Sequence, residues 1–209
     1  MPIDEFQKCP LCMGLKQESD SLKPWNEILF ESNNFCVMPC IGPLVMGHVM
    51  IVTKFHSTSL RLTDLPVRDE YNHLVATLRE HPILRKYGLL EAEHGPSESD
   101  LGGACICHTH IQIIPTFIQA RQLFTEPPLS LVVKDVATSD LMVPPYIFLR
   151  DHQGDERFLH VTRPNSQTVR KEMARLLGVS QWDWKIEPRI ELIKETICFW
   201  RSLDINYVA

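Results

Sequence analysis

His108, His110 and Gln112 occupy alternate positions in the run His108-Thr109-His110-Ile111-Gln112-Ile113-Ile114-Pro115. On an extended strand, side chains two apart share a face. The three polar groups therefore point one way, and Thr109, Ile111 and Ile113 the other. Turned toward a core, such a row costs on the order of a few kcal/mol unless a metal, a ligand or water partners it. A neutral imidazole is a competent nucleophile near pH 7, and covalent attack divides one hard phosphoryl substitution into two easier ones. Neighbouring donors then stabilise the charged transition state. His110, in the middle of the row, is the candidate nucleophile, and Gln112 is suited to hold a phosphate oxygen. Gly102-Gly103 precedes the run and permits close backbone approach to a bulky anion. Taken alone, the run is also compatible with a solvent-facing strand carrying two incidental histidines.

A second set of residues has the chemistry of a metal site. Cys9-Pro10-Leu11-Cys12 is a Cys-x-x-Cys pair without a second such pair in the chain. A closed structural zinc site needs four ligands, and two cysteines with two histidines is a common set. His56 and His108, at the ends of two expected strands, are candidates for the other two. A redox pair and an unliganded pair are the rival readings of Cys9 and Cys12; no βαβ context of the thioredoxin kind surrounds them. Cys36, Cys40, Cys105 and Cys107 fit a second zinc less well by spacing, and cysteine is often only a small buried residue.

These residues need elements to place them. Strands are expected at Glu27–Glu31, Asn34–Pro39, His48–Lys54, Leu89–Glu93 and Ala104–Pro115. Leu65–Tyr87 has Tyr71, Leu74, Val75 and Leu78 at helical spacing, with Asp64 to cap it, Pro66 in its first turn and Pro82 ending or kinking it near His81. Strands, then a helix, then strands imply an α+β fold with an antiparallel sheet. Residues 1–118 form the expected core, opened by a knuckle-like segment from residue 9 to residue 24. Residues 119–209 form an α+β extension: a hairpin of Tyr146–Arg150 and Arg157–Thr162, then helices at Gln167–Leu177 and Glu187–Trp200. That extension is either a small second lobe or part of one domain. Its basic residues Arg150, Arg157, Arg163, Arg170, Lys171 and Arg175 read mostly as surface charges, and Trp182 and Trp184 as packing anchors.

Composition narrows the class. A 209-residue chain with 44% apolar and 22% charged residues is that of an ordinary globular protein. A net charge of −5 argues against an extended nucleic-acid-binding surface. No apolar run approaches the roughly 20 residues of a membrane span. Met1–Leu11 carries acids and the first cysteine of the pair rather than a basic, apolar leader, so a cytoplasmic protein with reduced cysteines is expected.

In order along the chain, Cys9-x-x-Cys12, Gly47-His48 opening a strand, Lys54-Phe55-His56, a helix, a glycine loop and His108-x-His110-x-Gln112 ending in Pro115 resemble the histidine triad superfamily of nucleotide hydrolases and transferases. The resemblance covers a little over half the chain, about Cys9 to Pro115. It implies an α+β core with a sheet of about five antiparallel strands, usually paired into a dimer, and structural zinc on Cys9, Cys12, His56 and His108. It implies that His110 is transiently nucleotidylated, with the backbone carbonyl of His108 fixing its tautomer. The attack would fall on the α-phosphorus of an adenylylated or dinucleoside polyphosphate substrate. Glu93, Cys40 and Cys105 fall where the family contacts its nucleotide, and Gly103 belongs to the glycine pair that permits close approach to a phosphate. Phe35 and Met38 are candidates for a base pocket, although apolar residues on a short strand are more often core. Four positions depart from the family pattern. Gln112 replaces a third histidine, which resembles the transferase and phosphorylase branches. Glu93 stands in place of an Asn near the phosphates, Cys40 in place of a ribose-binding Asp, and Cys105 in place of a phosphate-binding Ser. A carboxylate beside a phosphate is unfavourable unless neutralised. The alternative that Glu93, Cys40 and Cys105 support is a zinc-stabilised module that binds nucleotides or a partner protein without turnover. His94, beside Glu93, is either a donor to phosphate or a solvated loop residue.

Overall fold

The structure is a computed structural model, and it describes residues 9–16, 23–95, 106–125, 132–135, 146–162 and 167–205. Among these, eight strands form one antiparallel sheet in the order β1-β2-β3-β5-β4-β7-β8-β6. They are β1 (Phe30–Glu31), β2 (Phe35–Pro39), β3 (Val49–Thr53), β4 (Leu90–Gly95), β5 (His110–Ile114), β6 (Val132–Asp135), β7 (Tyr146–Arg150) and β8 (Glu156–Thr162). Four helices accompany it: α1 (Pro10–Lys16), α2 (Leu65–Glu80), α3 (Thr168–Leu177) and α4 (Ile190–Arg201). The fold is thus α+β, as expected. The sheet is larger than the expected five or so strands, because β7 pairs with β4 and carries β8 and β6 beyond it.

Period-two alternation sorts the side chains into two layers. Phe35 and Val37 of β2, Val49 and Ile51 of β3, and Ile111 and Ile113 of β5 pack against Tyr71, Leu74, Val75 and Leu78 of α2 and Trp200 of α4. On the opposite face, Cys36, Met38, Cys40, Met50 and Val52 meet Cys9 and Leu11 at α1. Further along that face, Leu90, Ala92, Ile147 and Leu149 meet Val169, Met173 and Ala174 of α3. The cross-strand register holds the layers in phase: Val52 lies opposite His110, and Met50 and Ala92 flank Gln112.

Several boundaries differ from the sequence expectations for physical reasons. Helix α2 stops at Glu80, with a short 3₁₀ turn at Leu84–Lys86, because Pro82 cannot donate to the helix ladder. Asp64 holds the N-cap position, yet its side chain makes no capping bond. Strand β5 begins at His110 rather than Ala104, so His108 lies just before it. The opening segment contains α1, which the cysteines and glycine of its sequence conceal. No helix among the described residues is long and apolar enough to cross a membrane.

One buried ionic cluster fastens β7 to the first five strands. Glu91 is fully buried, and its carboxylate accepts from Arg79 Nη2 at 2.6 Å, Arg79 Nε at 3.0 Å, Tyr71 Oη at 2.6 Å and Arg150 Nη1 at 3.3 Å. Arg79 also donates to the carbonyls of Asp151 and Arg150. Removing one partner of a buried pair leaves the other charge uncompensated, which costs several kcal/mol. Arg79→Ala is expected to lower unfolding free energy by about 3 kcal/mol in urea titrations at pH 7. A loss under about 0.5 kcal/mol would show that Arg150 and Tyr71 suffice for Glu91.

Candidate metal centre and histidine pocket

Cys9 and Cys12 bracket the start of α1, His56 follows β3, and His108 precedes β5. Their ligand atoms all lie within 4.8 Å of one another. His108 Nδ1 is 3.4 Å from both Cys9 Sγ and Cys12 Sγ, and His56 Nδ1 is 3.4 Å from Cys12 Sγ. Tetrahedral bonds of about 2.3 Å to sulfur and about 2.0 Å to nitrogen put sulfur and nitrogen about 3.5 Å apart. The four donors therefore fit zinc in number, chemistry and spacing.

The protonation of His108 agrees with that fit. Its Nε2 lies 2.8 Å from the Thr53 carbonyl oxygen, which can only accept, so the proton sits on Nε2. Nδ1 is left with its lone pair toward the sulfurs. This is the outer-shell pattern by which a carbonyl orients a ligating histidine. Burial lowers the His108 pKa to about 4 and keeps the ring neutral. Burial, with Cys9 alongside, raises the Cys12 thiol to about 12. A divalent cation supplies the positive charge that makes thiolates stable in such a place.

The same residue also sets the protonation state of His110. The His108 backbone carbonyl accepts from His110 Nδ1 at 2.6 Å. The proton of neutral His110 is therefore on Nδ1, and Nε2 carries the free lone pair. Burial lowers the His110 pKa despite the opposing bond to that carbonyl. His110 and Gln112 line one pocket together with Cys40, Ile41, Met50 and His94. A further wall of that pocket is made by Gln167, Thr168, Val169, Arg170 and Trp184.

The remaining predicted contacts separate by face. Cys40 is in the pocket wall, where Arg170 Nη1 lies 3.4 Å from its sulfur. Phe35 is not; it is fully buried in the opposite layer, its ring 5.9 Å from that of Tyr71. Glu93 is likewise on the far face, opposite Phe148. Its carboxylate accepts from Leu60 N at 2.7 Å and Tyr146 Oη at 2.5 Å. It lines a second cavity, with Arg61, Arg68 and Phe158, rather than the histidine pocket. The strand residue on the pocket face is its neighbour His94. Gly103 and Cys105 lie outside the described residues.

The wall residues from the tail were not read from the sequence as part of the site. Arg170 reads in the sequence as one basic residue among many, yet it is only 4% exposed. Trp184 lies in the pocket wall as well. The one local hint is Gly42, which has φ +61°, and where a Cβ would come within 2.8 Å of Trp184 Cβ and 3.1 Å of Arg170 Nη2. That glycine lets the tail close on the β2 side of the pocket.

No protein-family model and no curated protein matches the chain. Solved structures similar to it include histidine triad proteins. A hypothetical histidine triad nucleotide-binding protein from Sulfolobus tokodaii is 17% identical, with a TM-score of 0.42 over 96% of this chain and 99% of that one. A Zn-bound histidine triad family protein from Mycobacterium smegmatis is 16% identical, with a TM-score of 0.39 over 59% and 85%. A yeast Ap4A phosphorylase in complex with Ap4A is 14% identical, with a TM-score of 0.35 over 80% and 74%.

Two outcomes follow from the site's chemistry. Metal analysis of purified protein should find one zinc per chain, and Cys12→Ala should lose it. Chelation should lower the melting temperature by about 10 °C, since metal binding is coupled to folding; unchanged melting with no zinc found would refute the site. The second outcome concerns Glu93. Burial raises its pKa from the ordinary 4.5 to about 7, against the opposing bonds from Tyr146 and Leu60 and the charge of Arg61. Tyr71 is the other titratable group that senses it. Between these two values the folded chain holds more protons than the unfolded one, so stability falls as pH rises from 4.5 to about 7. The full decrement, up to roughly 3 kcal/mol, is reached above that window. Thermal melts of Glu93→Gln should lack this component of the pH dependence; an unaltered profile would exclude Glu93 as its source.

Proposed function

We propose that this chain is a nucleotide hydrolase or nucleotidyl transferase that works through a covalent intermediate on His110. The observation that carries the reading is the 2.6 Å bond from His110 Nδ1 to the His108 carbonyl. It leaves an unprotonated Nε2 in a pocket that also holds Gln112 and His94.

The chemistry balances in two steps. The Nε2 lone pair attacks the α-phosphorus of an adenylylated or dinucleoside polyphosphate substrate. A P–N bond forms, the bond from phosphorus to the leaving oxygen breaks, and its electron pair leaves with that oxygen. In the second step an oxygen of water, or of an acceptor phosphate, attacks the same phosphorus. The P–N bond breaks, its electrons return to Nε2, and the attacking oxygen passes its proton, if it bears one, to solvent water. Throughout, Nδ1–H stays on the His108 carbonyl, so the ring never has to turn. The Gln112 amide, which lines the same pocket, would hold a phosphate oxygen by its N–H donors. Cys9, Cys12, His56 and His108 would hold zinc as a structural support for this arrangement, outside the bond-making steps.

The binding-module alternative drew on three replacements, Glu93, Cys40 and Cys105. Glu93 sits on the other face of the sheet, so it sets no carboxylate against a phosphate in this pocket. That weakens the alternative.

The test is intact-protein mass spectrometry after incubation with nucleoside polyphosphates and adenylylated compounds, with the small-molecule products followed in parallel. An added nucleotidyl group is expected on the native chain and on a His73→Ala control. His110→Ala should reduce adduct and turnover by at least about a thousandfold. Adduct persisting in His110→Ala would sink the mechanism.

A further inference from the structure

We propose that the tail completes the histidine pocket as an anion site, in which Arg170 binds a second phosphate of the substrate, next to the one that His110 attacks. The inference deepens the reading of this pocket as a phosphate site and rests on it. Its starting point is a buried charge. Arg170 is 4% exposed, and no carboxylate of a described residue lies within the 4.0 Å of an ion pair. Its guanidinium donates to neutral or weak acceptors: Nε to the Trp182 carbonyl at 2.6 Å, Nη2 to the Ile41 carbonyl at 3.2 Å, and Nη1 to Cys40 Sγ at 3.4 Å. Cys40 brings no compensating charge, because burial raises its pKa even against the pull of Arg170. Asp183, the acid that senses Arg170, is committed to Gln167 Nε2 and Lys185 N.

Taking a cation out of water costs several kcal/mol unless a counter-charge is supplied. Guanidinium has five N–H donors. Three engage Trp182, Cys40 and Ile41, which leaves two, and Arg170 forms part of the wall facing His110. The two remaining donors and the planar fork suit a phosphate. The pocket encloses about 60 Å³.

A second, independent feature points to the same ligand. Gln167 is 9% exposed and lines this pocket. Its Nε2 is tied to Asp183 at 2.7 Å, while its Oε1 is buried without a donor. An acceptor left in this state is completed by a ligand hydroxyl, such as that of the sugar joined to the phosphate. The first turn of α3, which follows, carries no acid that would oppose an anion. A nucleoside monophosphate fills only the His110 side. The preferred substrates are then those with two or more linked phosphates.

The test is calorimetric binding of inorganic pyrophosphate, ADP and adenosine to the full chain carrying His110→Ala, which prevents turnover. Adding Arg170→Gln should weaken pyrophosphate and ADP at least about tenfold while leaving adenosine unchanged, and Arg170→Lys should weaken them about fivefold. Arg189→Gln is the matched control. Arg189 also holds loop carbonyls, those of Pro43 and Leu44, but lies outside the pocket wall, so affinity should not change. A folded Arg170→Gln with parental pyrophosphate affinity overturns the proposal. If Arg170→Gln does not fold, parental affinity in Arg170→Lys overturns it equally, as does a parent that binds no pyrophosphate. Arg170-dependent binding in a chain whose native form never carries an adduct would refute the covalent reading alone.

Discussion

An imidazole has two nitrogens, and in its neutral form it has one proton to place on them. His108 and His110 are governed by that rule together. The Thr53 carbonyl takes Nε2–H of His108, so Nδ1 faces the cysteines; the His108 carbonyl takes Nδ1–H of His110, so Nε2 faces the pocket. Thr53 is the last residue of β3 and also donates its amide to the Thr109 carbonyl. The tautomers of both rings thus depend on how the end of β3 sits against the start of β5. The cysteines act on the same point from the other side. A metal held by Cys9, Cys12, His56 and His108 would pin α1 and both segments to one centre. It would act on the pocket through orientation, by fixing the carbonyl that fixes the His110 tautomer.

What the sequence made legible is what alternation and helical spacing encode. The histidine row, the helix over Tyr71–Leu78 and the order of the strands follow from short-range periodicity, which survives folding unchanged. Cys9, Cys12, His56 and His108 were legible as a candidate set from the cysteine pair and the expected strand ends, and the fold brings their ligand atoms within 4.8 Å of one another. Phe35 and Glu93 show the limit of that kind of reading. A position along a strand fixes its face only when the phase of the neighbouring strands is known. Met38 and Cys40 share the pocket layer with His110, so Phe35, an odd number of residues from each, belongs to the other. Gln112 pairs across from Ala92, so Glu93 must point away and His94 toward the pocket.

The tail was less legible for a different reason. Arg170 lies 60 residues beyond His110, and no local pattern separates it from Arg175, which pairs on the surface with Glu172. Its burial comes from three long-range conditions. Strand β7 docks on β4 and brings the tail onto the sheet. Helix α3 covers the layer that contains Ala92 and Ile147. Gly42, in a left-handed conformation, leaves room for the guanidinium and Trp184. None of these conditions is a property of the residues around Arg170.

Two buried charged groups on opposite faces of the sheet, Glu91 and Arg170, can be weighed against each other. Glu91 has arginines from both α2 and β7 and a tyrosine hydroxyl, so its charge is compensated by the chain itself. Such a cluster joins elements and asks for nothing further. Arg170 is as deeply placed but has only carbonyls and a thiol, which orient a guanidinium without neutralising it. Were its role purely to hold the tail, a carboxylate partner or an apolar side chain of similar volume would do so at lower desolvation cost. The energetic imbalance falls at the wall of the pocket that holds an unprotonated histidine nitrogen. An incoming phosphate would correct it there, stabilising the tail and the bound substrate through the same bond.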